Sequence, residues 1–307
     1  MPMTLAAKLL APVAVAASIS AGVVIGQHAP AIAFATPRAA LDEFVAAVRA
    51  HDTNAVEAML GPAGYDLLHS GDKVADKHAR QRFLTAYDRY AHLVRTSPSV
   101  AMLQIGPDNW TFPIPIVKRP RGWVFDTKSG RGELLARRIG RNELDAIQEC
   151  KAYVDAQRDY ASVDRGDGIL QYAQRFLSTK GYHDGLYWPA EHGAAQSPLG
   201  PAFAKAQANG YIFEASTGPK PFNGYYFRIL TAQGDSARGG AYSYVVHGKM
   251  IGGFALIAYP AKYGASGIAT FMVNQDGLVF QKDLGSDTEA LAARIQSFDP
   301  GSGWSRA

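Results

Sequence analysis

Apolar residues recur three and four apart at Leu41, Phe44, Val45 and Val48, behind Thr36-Pro37. That spacing predicts a helix with its first turn at the proline. Asp52 reads as the N-cap of a second, short helix ending near Leu60, before Gly61-Pro62. A longer helix is predicted over 74–93, with Phe83, Leu84, Tyr87 and Leu93 on one side. The period then changes from helical to alternating, and strands are expected at 99–105, 110–117 and 122–126. Helical pattern returns at 131–139, Gly140 interrupts it, and a second run covers 142–161. Residues 162–222 lack periodicity and read as long ordered loops with short helical pieces such as 169–176. From 224 the pattern is β: 224–230, 241–246, 254–260, 267–273 and 278–284, with Asn274-Gln275-Asp276-Gly277 as a hairpin turn and a closing helix at 287–297. The fold class is therefore α+β, with an N-terminal domain over 36–140 and a C-terminal domain over 141–307.

One strand carries an unusual signature. In NWTFPIPIVKRPRGWVFDT (109–127), Trp110, Phe112, Ile114 and Ile116 share a parity and so one buried face. Pro113 and Pro115 share the other parity and remove two amide donors along the same lateral side. An edge strand with both prolines outward is the expectation, paired on its other side with 122–126.

The first 35 residues differ in kind. Lys8 precedes an apolar and small-residue run from Leu9 to Gly26, and Ala33-Phe34-Ala35 gives an A-x-A pattern before Thr36. That order predicts a secretory signal peptide over 1–35 and an exported, periplasmic or extracellular protein, the alternative being an uncleaved N-terminal anchor. Its removal takes one lysine and no acid, so the formal charge moves from +4 to +3. Basic residues are scattered apart from Lys118-Arg119-Arg121 and Arg137-Arg138-Arg141, and nucleic acid is not an expected partner. A single cysteine, Cys150, excludes an internal disulfide, so the core alone must hold the fold. Cys150 falls on the helical face of Leu144, Ile147 and Val154 and reads as a buried small hydrophobe.

Chemical motifs are sparse. There is no G-x-S-x-G, no G-x-G-x-x-G after a strand and no P-loop, so no catalytic residue and no cofactor is assigned. The acids of 164–168 (DRGDG) lack the alternation and closing glutamate of a calcium loop and read as a turn. Tyr225, Phe227, Tyr242 and Tyr244 read as a packed sheet face, and His247-Gly248-Lys249 as a solvated turn. The densest cluster is HDGLYWPAEH, which offers His183, Asp184, Tyr187, Trp188, Glu191 and His192 as candidate ligand-binding residues. Two histidines and two carboxylates suit a divalent metal, but H-x8-H is not a standard ligand spacing, and no metal is assigned.

Four blocks, at 110–161, 184–201, 221–234 and 240–288, resemble in the same order the bacterial exported proteins of domain-of-unknown-function family 2950. The resemblance runs from about residue 37 to the C-terminus and implies export without implying an activity. Two looser likenesses concern fold only: the C-terminal half is similar to type IV pilin and pseudopilin heads, the N-terminal half to cystatin-like, nuclear-transport-factor-type cones. A non-enzymatic binding or envelope-assembly accessory protein is the expectation, with envelope or pilus-like assembly proteins as candidate partners. The alternative is an envelope hydrolase or metal-dependent enzyme using the 183–192 loop.

Overall fold

The computed structural model of the chain describes residues 32–166, 168–190, 196–214 and 218–307. Thr36 opens α1 (Pro37–Arg49) as its side chain allows: its hydroxyl accepts from the Ala39 amide at 3.0 Å, and Pro37 sits where a helix needs no donor. Asp52 caps α2 (Thr53–Leu60) by accepting from the Ala55 amide at 2.9 Å. A single turn, α3 (Tyr65–Leu68), leads to α4 (Lys73–Arg89). The helix expected to run to residue 93 stops at Arg89 and gives way to strand β1 (Ala91–Ser97), antiparallel to β2 (Val100–Ile105) with Leu93 opposite Leu103. Both faces of β1 are wet or half-buried, so the sequence carries no alternation to announce it.

The proline-rich segment does not form an edge. It divides into β3 (Trp110–Thr111) and β4 (Ile116–Arg119), both paired with β2, and β4 pairs along its other side with β5 (Gly122–Phe125). The order β1-β2-β4-β5, with β3 also on β2, puts β4 inside the sheet and overturns the guarded-edge expectation. Pro113 and Pro115 instead occupy the bend between the two pieces, where the ladder needs no donor, while the Phe112 amide still reaches Leu103 O at 2.7 Å. The facing is as the parity requires: Phe112, Ile114 and Ile116 are buried and Trp110 is half-buried. The outer side of β5 is covered by Phe34, whose backbone exchanges bonds of 2.8 and 2.7 Å with Trp123.

Helix α5 (Thr127–Ala161) runs unbroken for 35 residues through Gly140, so the interruption expected there is absent. A helical glycine costs only about 1 kcal/mol relative to alanine, and packing along both ends of α5 exceeds that. Its Leu134 packs against a first hydrophobic cluster, built from α1, α2 and the sheet; Ala146, Cys150, Tyr153, Val154 and Tyr160 enter a second. Leu144 is 64% exposed, so the buried face of Cys150 excludes it. Burial pushes the Cys150 thiol up to about 12.

Beyond α5 the chain is irregular, and the helical piece lies at α6 (Gly200–Ala208) instead of 169–176, where the Tyr172 amide bridges to Met250 O at 2.8 Å. The second sheet is antiparallel and holds β6 (Tyr225–Leu230), β11 (Ala255–Pro260), β12 (Ala269–Asn274), β13 (Phe280–Asp283) and β14 (Ser305–Arg306) in the order β14-β13-β12-β11-β6. Helix α5 crosses β12 and β11, and α7 (Thr288–Arg294) packs on β11. Two ribbons stand apart from it: β7 (Ala232–Gln233) with β8 (Tyr242–Ser243), and β9 (Val245–Val246) with β10 (Lys249–Met250). Tyr242 and Tyr244 therefore share no sheet face with Tyr225 and Phe227, contrary to expectation: Tyr225 and Tyr244 are buried, and Tyr242 is exposed. Gly277, at φ 76°, closes the β12–β13 turn through its amide to Asn274 O at 2.9 Å.

Candidate functional site

The 183–190 stretch uses its side chains locally. His183 stacks on Trp188 with ring centres 4.3 Å apart, and Arg165 lies over the buried Trp188 ring at 4.9 Å. Asp184 accepts from the Thr179 amide at 2.6 Å and hydroxyl at 2.8 Å, with the Arg175 guanidinium 3.3 Å away. Desolvation pushes its carboxyl upward, but those bonds and that cation together outweigh it and hold the group below the usual range. Tyr187 stacks on Phe203 of α6 at 4.3 Å. Glu191 and His192 lie outside the described residues. Of the six candidates, the geometry brings His183 and Trp188 together, sends Asp184 to Thr179 and Arg175, and turns Tyr187 toward α6. Among the described residues no group of three or more His, Cys, Asp and Glu is placed to hold a metal ion.

Phe203 also walls a cavity of about 580 Å³ between α5, α6 and the second sheet, with Phe176, Phe213, Phe227 and Leu256. Its buried charge is an acid: burial, and then Asp145, push the Glu149 carboxyl upward. Lys205 works against that shift and Arg175 and Lys220 also line the space, but its walls are mainly aromatic and aliphatic and suit apolar contact.

The first half holds a different cavity, of about 380 Å³. Helices α1 and α4, the start of α2 and the bend after β3 form its apolar wall, through Phe44, Val48, Val56, Phe83, Phe112 and Ile114. Its mouth is basic. Helix α4 brings Arg80 and Arg82, and α5 brings Arg137, Arg138 and Arg141, whereas the acids on its lining are Asp52 and Asp76. Asp52 is committed to capping α2. Asp76 accepts from the Ser70 amide at 3.2 Å, and burial raises its carboxyl above the ordinary range.

The arginines differ in what they already hold. Arg138 donates to Asp66 O at 2.8 Å and to Leu67 O. Arg137 lies over the Trp110 ring at 5.3 Å and pairs with Glu133 at 2.5 Å. Arg80, Arg82 and Arg141 have no carboxylate within ion-pair distance among the described residues. Two donors in the wall, Arg80 Nε and Trp110 Nε1, are buried without an acceptor among the described residues. Burial draws the guanidinium groups of Arg138 and Arg82 below their usual values, and Arg141 adds repulsion to both. An anion entering such a site would relieve both the repulsion and the orphaned donors.

The Arg137-Arg138-Arg141 group is visible in the sequence, but the cavity it borders is not. The missing signal is Arg80-Gln81-Arg82 on α4, a second basic pair that only the fold brings opposite the first.

No curated protein and no solved structure matches the chain, so the likenesses to pilin heads and to cystatin-like cones find no support there. No helix among the described residues is long and apolar enough to cross a membrane. The family described as "Protein of unknown function (DUF2950)" matches residues 31–307, and the chain belongs to that family.

Proposed function

We propose that the chain is an exported binding protein for an amphipathic anion. The apolar part of the ligand occupies the 380 Å³ cavity, and a carboxylate, sulfate or phosphate head meets the arginine rim. The observation that carries this reading is the pair of buried, unpartnered donors, Arg80 Nε and Trp110 Nε1, in an apolar wall beside Arg82 and Arg141, which have no carboxylate within ion-pair distance among the described residues. Buried donors are nearly always satisfied in native proteins, so two in one wall point to an absent acceptor. The cavity's size falls within the roughly 300–1,000 Å³ of small-molecule sites. This reading keeps the non-enzymatic expectation and gives it a ligand class.

Isothermal titration with dodecanoate and with dodecyltrimethylammonium tests it. Dodecanoate should bind one site per chain and the cationic chain should not. Arg82→Glu with Arg141→Glu should weaken dodecanoate at least about tenfold, since hydrogen bonds to charged groups contribute roughly 1.5–3 kcal/mol each. Equal binding of both amphiphiles, or binding of neither, would sink the proposal.

A further inference from the structure

Signal cleavage after Ala35, as the A-x-A pattern there predicts, conflicts with the fold. Phe34 and Trp123 exchange two backbone hydrogen bonds, of 2.8 and 2.7 Å, along the outer side of β5, and the Phe34 ring packs on the first core. The partner strand is shaped for this contact. Gly122 sits at φ 135°, and a Cβ there would fall 2.5 Å from Phe34 O, so backbone meets backbone with no room for a side chain. Ile32 extends the same segment, its amide 3.4 Å from Ala58 O. A chain starting at Thr36 would lack all of this and leave the β5 edge open.

Charge gives an independent argument. Thr36 is the N-cap of α1, and the first turn of α1 contains no acid. A new α-ammonium on Thr36 would set a positive charge against the positive end of the helix dipole.

The sequence offers two further A-x-A patterns upstream, Ala31-Ile32-Ala33 and Ala29-Pro30-Ala31. A cut after Ala33 would remove Ile32 and its contact with Ala58 O, whereas a cut after Ala31 keeps it and lies closer to the end of the apolar run. The family match also begins at residue 31. We infer that the processed chain begins at Ile32, with Ala31 as the last residue of the signal, so that residues 32–35 remain as the strand that closes the first sheet. The inference rests on the export reading.

Intact mass and N-terminal sequencing of the full-length protein, expressed with its own leader and recovered from the periplasm or medium, test it. The expected first residue is Ile32. Replacing Ala31→Gln should abolish or displace that cut, and Ala35→Gln should leave it unchanged. An exported chain beginning at Phe34 or Thr36 overturns the inference while leaving export intact. An exported chain that keeps Met1 overturns the inference in favour of an uncleaved anchor, and a chain that keeps Met1 and stays in the cytoplasm overturns export as well.

Discussion

Asp72 is 1% exposed, yet both of its carboxylate oxygens are occupied. Oδ1 accepts from the Val74 and Ala75 amides, capping α4, while Oδ2 accepts from the Tyr211 hydroxyl at 3.0 Å and the Gly224 amide at 2.9 Å. One side chain thus starts a helix of the first half and holds the loop before β6. Asp72→Ala should cost about 3 kcal/mol, combining the loss of a cap with orphaned buried donors, as read by the urea midpoint. A loss under about 1 kcal/mol would mean the loop contact carries no stability. Capping is legible in a sequence, as at Asp52, because a cap depends on neighbours within three residues. The other half of the Asp72 role involves partners 139 and 152 residues away, which no local pattern encodes. Cys150 is legible too, since its setting is a helix face. Its thiol, 0% exposed and pushed up to about 12, should resist dithionitrobenzoate at pH 8 until the protein unfolds. Prompt native labelling would contradict that burial.

Secondary-structure elements are readable where one face is dry and the other wet. Helix α1 has that asymmetry and strand β1 does not, so pattern alone extends α4 over the start of β1. Pro113 and Pro115 do break the ladder as their chemistry requires, but a bend inside a sheet removes the need for a donor as well as an edge does. Propensity alone likewise misleads at Gly140, because α5 is held by packing on either side of it. The glycines of α5 separate into two kinds. A Cβ on Gly130 would fall 2.3 Å from Pro113 O, whereas nothing lies within 4 Å of one on Gly140. Gly130→Ala should therefore destabilise by roughly 1–3 kcal/mol, because backbone at the proline bend cannot step aside cheaply. Gly140→Ala should stabilise by about 0.5–1 kcal/mol through helix propensity. Thermal melts of the two variants should move in opposite directions, and a common direction would show that α5 does not seat on the bend as described.

At the scale of the whole molecule, the two halves meet through charge near the cavity. Lys262 donates to Asp66 at 2.8 Å and Arg131 pairs with the same carboxylate. The Lys262 hydrogen bond, then that of Arg131, outweigh desolvation to hold Asp66 below its ordinary value. A depressed acid contributes stability above its unfolded value of about 3.8, lost as pH falls through the folded value. Asp76 has the opposite sign: burial raises it, so its share of stability is largest in acid and declines as pH climbs past 3.8. Asp66→Asn should thus destabilise at neutral pH and flatten the acid limb of the stability curve; an unchanged limb would place the acid sensitivity elsewhere. The α+β class is legible from the order of periodicities. The cavity is not, because it arises from two helices whose arginines, Arg80 and Arg82 on one and Arg137, Arg138 and Arg141 on the other, are far apart in sequence and look like ordinary solvated charges until they face each other.

In the proposed complex the anionic head of the ligand lies against Trp110 and among the arginines. The most direct measurement is tryptophan quenching by 2-bromododecanoate, whose bromine sits beside the carboxylate and quenches on contact. Saturable quenching is predicted, lost in Trp110→Phe and shifted to much higher ligand concentration in the Arg82→Glu, Arg141→Glu protein. Quenching that persists in Trp110→Phe, or that ignores the arginine changes, would contradict the account.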